Sequence, residues 1–304
     1  MPPKGLDGAQ VEGRQAVREL LAAGRRRVRS LIMADGTDDS PILLDIEELA
    51  AARGIPVRRV SKEQVLAQAR TESPQGVIAH AEPLEEADPD EMLERRPHGM
   101  AQPFILALDG LTDPGNLGAL LRSAEGAGVT GVVVPKHRAV HITPTAAKAA
   151  AGAIEYLPIG LVPGLPAYLL RAKERGAWVV GLDAGSTTTV HDLAHLADQP
   201  LIVVVGAEGD GLSRLVRDRC DVIAAIPLRG RIESLNASVA GAVALFEIGR
   251  HRPVDGPLTD SADRFTNGPD RFTDSPDGDR FDDDEVPMAT EDDMDDDWQD
   301  DDVD

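Results

Sequence analysis

The chain has 304 residues, 42% hydrophobic but only 3% aromatic, with one cysteine and a formal net charge of −22. The single Cys220 excludes an internal disulfide and any metal site built on several thiolates, and so few aromatics leave little on which single-stranded bases could stack. No uncharged apolar run of about 18 residues occurs, and the opening MPPKGLDGAQ lacks the apolar core of a signal peptide, so a cytoplasmic protein without a membrane segment is expected.

The charge is unevenly spread. Residues 251–304 hold 21 Asp/Glu against 4 Lys/Arg, a local −17 that leaves only −5 for the preceding 250 residues. The folded part is nearly balanced, and its sign says little about partners.

Residues 5–84 read as a small α/β unit. GRQAVRELLAAG is a helix stopped by Gly24, and RRRVRSLIM is a basic edge running into a strand. PILLDIEELAAARG is a helix opened by Pro41 and closed by Gly54, IPVRRV a strand, Ser61-Lys-Glu-Gln64 a capping box, and PQGVIAHA a last strand. The cluster Arg25, Arg26, Arg27 and Arg29 has two readings, a grip on nucleic-acid phosphates or a solvated corner. Residues 85–102 carry prolines without periodicity and read as a linker.

From 103 to 250 strands and helices alternate. FILALD, GVVVP, EYLPIG, AWVVGLD, PLIVVVG and DVIAAIP read as strands; NLGALLRSAEGAG, TPTAAKAAAGAI, LPAYLLRAKERG and SRLVRDRC read as helices. The pattern predicts an α/β domain with a mostly parallel sheet, whose ligands sit at the carboxyl ends of the strands. The last helix follows IPLRGRIESLN, and Leu235, Val239, Val243 and Phe246 recur along it as one apolar face, expected to be buried. Beyond Arg250 the periodicity stops, and residues 251–304 are expected to form a disordered acidic tail.

Three loops fall at strand ends. Asp109–Asn116 precedes a helix that Asn116 is placed to cap, with Arg122 nearly two turns on. Its planar fork suits phosphate; the plain alternative is a cap and a surface arginine. Gly206–Leu212 brings glycines that permit close backbone approach, with Glu208 among them. The third loop opens the last helix with Ser234, Asn236 and Ser238, which could equally be an ordinary N-cap. His137, His141, His191 and His195 show no ligand spacing, and no metal is expected.

Taken together, DPGNLGALLRSAEGAGVTGVV, VVVGAEGDGLSRLV and IPLRGRIESLNASVAGAVALFE resemble the three motifs of the SpoU (TrmH-like) branch of the SPOUT RNA 2′-O-ribose methyltransferases. The unit at 5–84, with PQGVIA, resembles the L30e-like substrate-binding domain of members acting on guanosine of 23S ribosomal RNA, although Pro74 stands where His is common. The resemblance implies a trefoil-knot methyltransferase domain over 103–250, with the segment around Pro227–Leu235 threaded through a loop, and a homodimer. It implies S-adenosyl-L-methionine as cofactor, bordered by Gly206, Gly209, Ile226, Leu228, Leu235 and Ser238. It implies a catalytic cluster of Asn116, Arg122, Glu208, Ser234 and Asn236, and structured RNA bound through Arg25, Arg26, Arg27 and Arg29. The rival readings are a tRNA enzyme, a nucleotide-binding oxidoreductase, which would need an acidic residue about 20 positions after the glycine loop, and an RNA-binding protein without catalysis.

Overall fold

The computed structural model describes residues 6–36, 40–94, 102–136 and 141–252, so the tail lies outside the described residues from 253 onward. In the N-terminal part, β1 (Gln10–Glu12), α1 (Arg14–Ala23), β2 (Val28–Ala34), α2 (Pro41–Ala52), β3 (Val57–Val60), α3 (Lys62–Gln68) and β4 (Val77–Ala81) follow in order. Gly24 ends α1 in the left-handed region at φ 59°, and Ser61 with Gln64 closes the capping box of α3. The sheet order is β1-β4-β2-β3. Strand β1 is an element that the sequence pattern misses, because two of its three residues are polar. Both are buried, and both are satisfied. The Glu12 carboxylate accepts the backbone N–H groups of Arg70 at 2.7 Å and Thr71 at 3.1 Å, and Gln10 Nε2 donates to Glu12 at 2.8 Å and to the Gln68 carbonyl at 3.0 Å.

The segment expected as a free linker is partly built into the core. Residues Pro89–Met92 form a short helix, α4, capped by Asp88. Met92 is buried and fills the space beside two strand glycines; a Cβ on Gly131 would lie 2.8 Å from its Sδ. Between them, Asp88 and Met92 pin the first half of 85–102, and residues 95–101 lie outside the described residues.

The second sheet comprises β5 (Phe104–Asp109), β6 (Gly131–Pro135), β7 (Ile159–Val162), β8 (Trp178–Leu182), β9 (Leu201–Gly206) and β10 (Val222–Ala224). Every pairing in it is parallel, in the order β10-β8-β9-β5-β6-β7. Strands β5 and β9 are apolar on both faces because both faces are covered. Phe104, Leu106 and Leu108 pack with α5 (Pro114–Gly126), α6 (Pro144–Ala149) and α9 (Ala237–Gly249), while Ile105 and Ala107 pack with α4, α7 (Leu165–Glu174) and α8 (Arg214–Arg217). The helix expected over TPTAAKAAAGAI breaks after Ala149, where Ala151 and Gly152 take positive φ; a 3₁₀ turn, Ala153–Glu155, follows.

That break matters, because it presents Glu155 and Tyr156 to the N-terminal part. Arg26 meets Glu155 through two bonds, of 2.6 and 2.8 Å, and donates to the carbonyls of Gly8 and Glu82. The Arg26 side chain is 7% exposed and that of Glu155 1%. The Tyr156 hydroxyl donates to Glu19 at 2.7 Å, and Arg25 both donates to the Tyr156 carbonyl and lies over its ring. Arg26 is therefore a structural residue of the junction and not a solvent-facing grip on RNA, which corrects the expectation drawn from its neighbours in sequence. Arg27 and Arg29 stay exposed.

Removing one partner of a buried pair strands the other charge. Arg26→Ala should lower the unfolding free energy of the full chain by about 3–5 kcal/mol, measured by urea denaturation, whereas Arg26→Met with Glu155→Leu should cost much less. A single-variant loss below about 0.5 kcal/mol, the size of an ordinary surface change, would show the pair to be idle.

Candidate active site

At the carboxyl ends of β8, β9 and β10 the chain encloses a cavity of about 570 Å³, within the range of small-molecule sites, roughly 300–1,000 Å³. Its wall runs through Leu182 and Asp183 after β8, Val205 to Gly211 at and after β9, Ala224 to Ile226 and Leu228 after β10, and Ser234 to Ala237 entering α9. Gly206 is where this shape is decided. The loop after it folds back so that the Ala207 and Gly211 backbones exchange two hydrogen bonds of 3.0 Å. A Cβ on Gly206 would sit 2.3 Å from the Gly211 carbonyl and 2.6 Å from the Leu212 nitrogen. Only glycine fits there.

The same loop aims Glu208 at the starts of α5 and α9. Glu208 Oε1 accepts from Asn236 Nδ2 at 2.8 Å and from Asn116 Nδ2, while Asn236 Nδ2 also reaches Asn116 Oδ1 at 3.1 Å. Ser238 completes the cluster, its hydroxyl 2.6 Å from Asn236 Oδ1 and 3.2 Å from Asn116 Oδ1. A carboxylate can only accept, so it fixes both amides with their NH₂ groups toward it. Asn116 is not the cap of α5. Asp113 is, accepting the Asn116 N–H at 2.7 Å, and the helix starts earlier, with Pro114 in its first turn. This frees the Asn116 side chain for the cluster. Asn236 does cap α9, accepting from the N–H groups of Ser238 and Val239.

Of the expected cofactor residues, Gly206, Gly209, Ile226, Leu228 and Leu235 line the cavity, and Ser238 does not. Of the expected catalytic residues, Glu208, Ser234 and Asn236 line it, with Asn116 bonded to two of them. Arg122 stands apart, exposed on α5, with no hydrogen bond or ion pair to any described residue. Sequence reading missed two lining carboxylates, Asp183 and Asp210. Asp183 was recoverable as the residue at the end of a parallel strand; its carboxylate accepts the Gly185 N–H at 2.9 Å and pairs with Arg217. Among the described residues, outside which His137 lies, no group of three or more His, Cys, Asp and Glu is placed to hold a metal.

A model of the SpoU rRNA Methylase family matches residues 103–246, and one for RNA 2′-O ribose methyltransferase substrate binding matches residues 10–87. The chain is 40% identical over 242 residues to YacO of Bacillus subtilis (strain 168), named for the TrmH family of tRNA/rRNA methyltransferases; the alignment covers 80% of this chain and 95% of that one. The chain belongs to the SpoU/TrmH family of RNA methyltransferases. A relative from Photobacterium profundum, named 23S rRNA (guanosine-2′-O-)-methyltransferase RlmB, is 39% identical over 82% of this chain and 100% of its own. The SpoU methyltransferase AviRb from Streptomyces viridochromogenes, solved in complex with the cofactor AdoMet, superposes with a TM-score of 0.64 at 26% identity, covering 79% of this chain and 89% of that one. For this family the observed wall is suited to S-adenosylmethionine. The molecule carries a sulfonium and an ammonium, and the charged lining residues are Asp183, Glu208 and Asp210 with no lysine or arginine among them.

Gly206→Ala should force the Gly211 backbone away, costing about 1–3 kcal/mol as overpacking does and weakening S-adenosylmethionine binding. Calorimetry beside urea denaturation checks both; unchanged affinity would mean that the close approach is not what shapes the cavity.

Proposed function

We propose that this SpoU/TrmH enzyme methylates the 2′-hydroxyl of a guanosine in 23S ribosomal RNA, acting in the cytoplasm as a homodimer. The observation that carries the reading is the polar cluster of Asn116, Glu208, Asn236 and Ser238 set against a cavity whose charged groups are all carboxylates. The choice of ribosomal RNA rests on the likeness to the Photobacterium relative and on the substrate-binding match at residues 10–87. The name of the Bacillus relative covers tRNA as well as rRNA and keeps a tRNA target as the second reading. No helix among the described residues is long and apolar enough to cross a membrane.

When bound, S-adenosylmethionine supplies an electrophilic methyl group on a sulfonium. The protein's task is then to hold the ribose hydroxyl in line and to stabilise the alkoxide as its proton leaves. Arg122 suits the second role. A guanidinium offers donors and no acceptor, so it acts as a cation that pins the neighbouring phosphate and the developing charge, not as a base. Ser234, a water or the phosphate carries the proton. Glu208 works through the amides, holding Asn116 and Asn236 in one orientation.

A homodimer suits α9. The face read as buried, Val239, Val243 and Phe246, is 48%, 39% and 51% exposed, while the face against the sheet consists of Ser238, Gly241, Ala244, Leu245 and Ile248. Small residues let α9 approach α5 closely; a Cβ on Gly241 would lie 2.5 Å from Leu120. The large residues are left outside, where a second copy would cover them. The knot formed by Pro227–Leu235 belongs to the same proposal.

Mapping 2′-O-methyl sites in ribosomal and transfer RNA from a deletion strain tests the target: one guanosine of 23S RNA should lose its methyl group, and a change confined to tRNA would select the second reading. For the purified enzyme, Arg122→Ala should lower kcat about 10²-fold, the size of losing one donor to a developing oxyanion, with the Kd for S-adenosylmethionine nearly unchanged. Arg122→Lys should rescue poorly. Near-wild-type turnover in either variant removes Arg122 from the reaction.

A further inference from the structure

An RNA enzyme with an anionic cavity must hold the phosphates of its substrate somewhere else. The N-terminal arginines supply less than their number suggests, since Arg26 is buried against Glu155 and Arg25 is bonded to Tyr156. Other cations are likewise engaged: Arg217 with Asp183, Arg59 with Glu47, Arg18 with Asp45, Lys173 with Asp221. Phosphate is not favoured in the cavity itself, where Glu208 and Asp210 would repel it and Asp183 already holds Arg217.

One segment at the cavity has the opposite character. The chain leaves the wall at Leu228 and rejoins it at Ser234, and the residues between are all exposed. Arg229 and Arg231 stand there with no hydrogen bond or ion pair to any described residue, although Glu233 is only two positions on. Gly230 between them has no atom of any residue beyond its two neighbours within 4 Å of the place a Cβ would take, so no other part of the chain crowds the loop there. Two residues of extended chain span up to about 7 Å, enough for the two guanidinium groups to address different phosphates.

We propose that Arg229 and Arg231 form a phosphate clamp that holds the RNA backbone beside the nucleotide being methylated. This rests on the reading of the protein as an RNA methyltransferase and assigns the part of it that grips the substrate at the reaction centre. The loop begins and ends at residues that line the cavity, so the clamp holds the backbone next to the methyl donor. Contacts of this kind carry no sequence information. They add affinity by releasing counterions, and so make binding steeply salt-dependent.

The test uses the full chain and a transcript of 23S ribosomal RNA, with transfer RNA in parallel. Dissociation constants are measured by anisotropy across a salt series for the wild type, Arg229→Ala/Arg231→Ala and Arg229→Lys/Arg231→Lys. Losing two phosphate contacts should make the slope of log K against log salt shallower by about 1.4 to 1.8, at roughly 0.7 per contact on a single strand and 0.9 on a duplex. RNA affinity at low salt should fall about tenfold or more, while calorimetric S-adenosylmethionine affinity stays within about twofold, as expected for contacts to phosphate alone. The lysine variant should keep most of the slope, since a lysine also displaces a counterion. A merely structural role would make the lysine variant fail like the alanine one and disturb cofactor binding, which overturns the clamp. An unchanged slope in the alanine variant overturns it too. Absence of wild-type binding to either RNA would instead overturn the function on which it rests.

Discussion

The close approach of Gly206 to Gly211 is the constraint from which the site follows. With no side chain at position 206, the loop closes tightly on itself, and Gly209 and Gly211 within it adopt φ of +80° and +64°, which other residues rarely reach. The closure does three things at once. It walls one side of the cavity, it turns Glu208 toward Asn116 and Asn236, and it returns the chain so that Leu212 is buried and the Ser213 N–H reaches Asp109 at 2.7 Å. The end of β5 and the end of β9, neighbours in the sheet, are thereby tied together beside the cavity.

Much of this architecture is legible in the residues. Continuous apolar runs such as LIVVV announce strands covered on both faces, and glycines and prolines mark helix ends well. The failures share a cause, which is that periodicity records apolar character but not what covers it. Val239, Val243 and Phe246 form a regular stripe, yet the core takes the opposite face, because Gly241 and Ala244 allow α9 to lie closer to α5 than larger residues would. Strand β1 carries two polar side chains that are buried because the backbone N–H groups of Arg70 and Thr71, far along the chain, satisfy Glu12. Arg26 reads as a basic surface residue until a carboxylate 129 positions away in sequence is brought against it. In the site, the motif residues of the glycine loop and of the α9 entry line one cavity, whereas the role of Asn116 is visible only once Asp113 is seen to have taken the cap.

Charge is divided around the cavity. A positively charged donor and a negatively charged acceptor strand have to meet at one atom without exchanging places. Carboxylates line the cavity wall, while Arg229 and Arg231 are exposed on the loop that leaves it at Leu228 and rejoins it at Ser234. A net charge summed over the chain hides this, because most of the −22 sits in residues 251–304.

The junction built by Arg26, Glu155, Glu19 and Tyr156 makes the protein a ruler. A substrate-binding part tethered by a loose strand could swing and accept its target at many spans. Here it is bolted by a buried ion pair and a tyrosine to the 3₁₀ turn between α6 and β7, so the spacing between the two sheets is set by packed side chains. An RNA bound by both parts at once would have to present its contacts at that spacing, so its folded shape and not only its local sequence would matter.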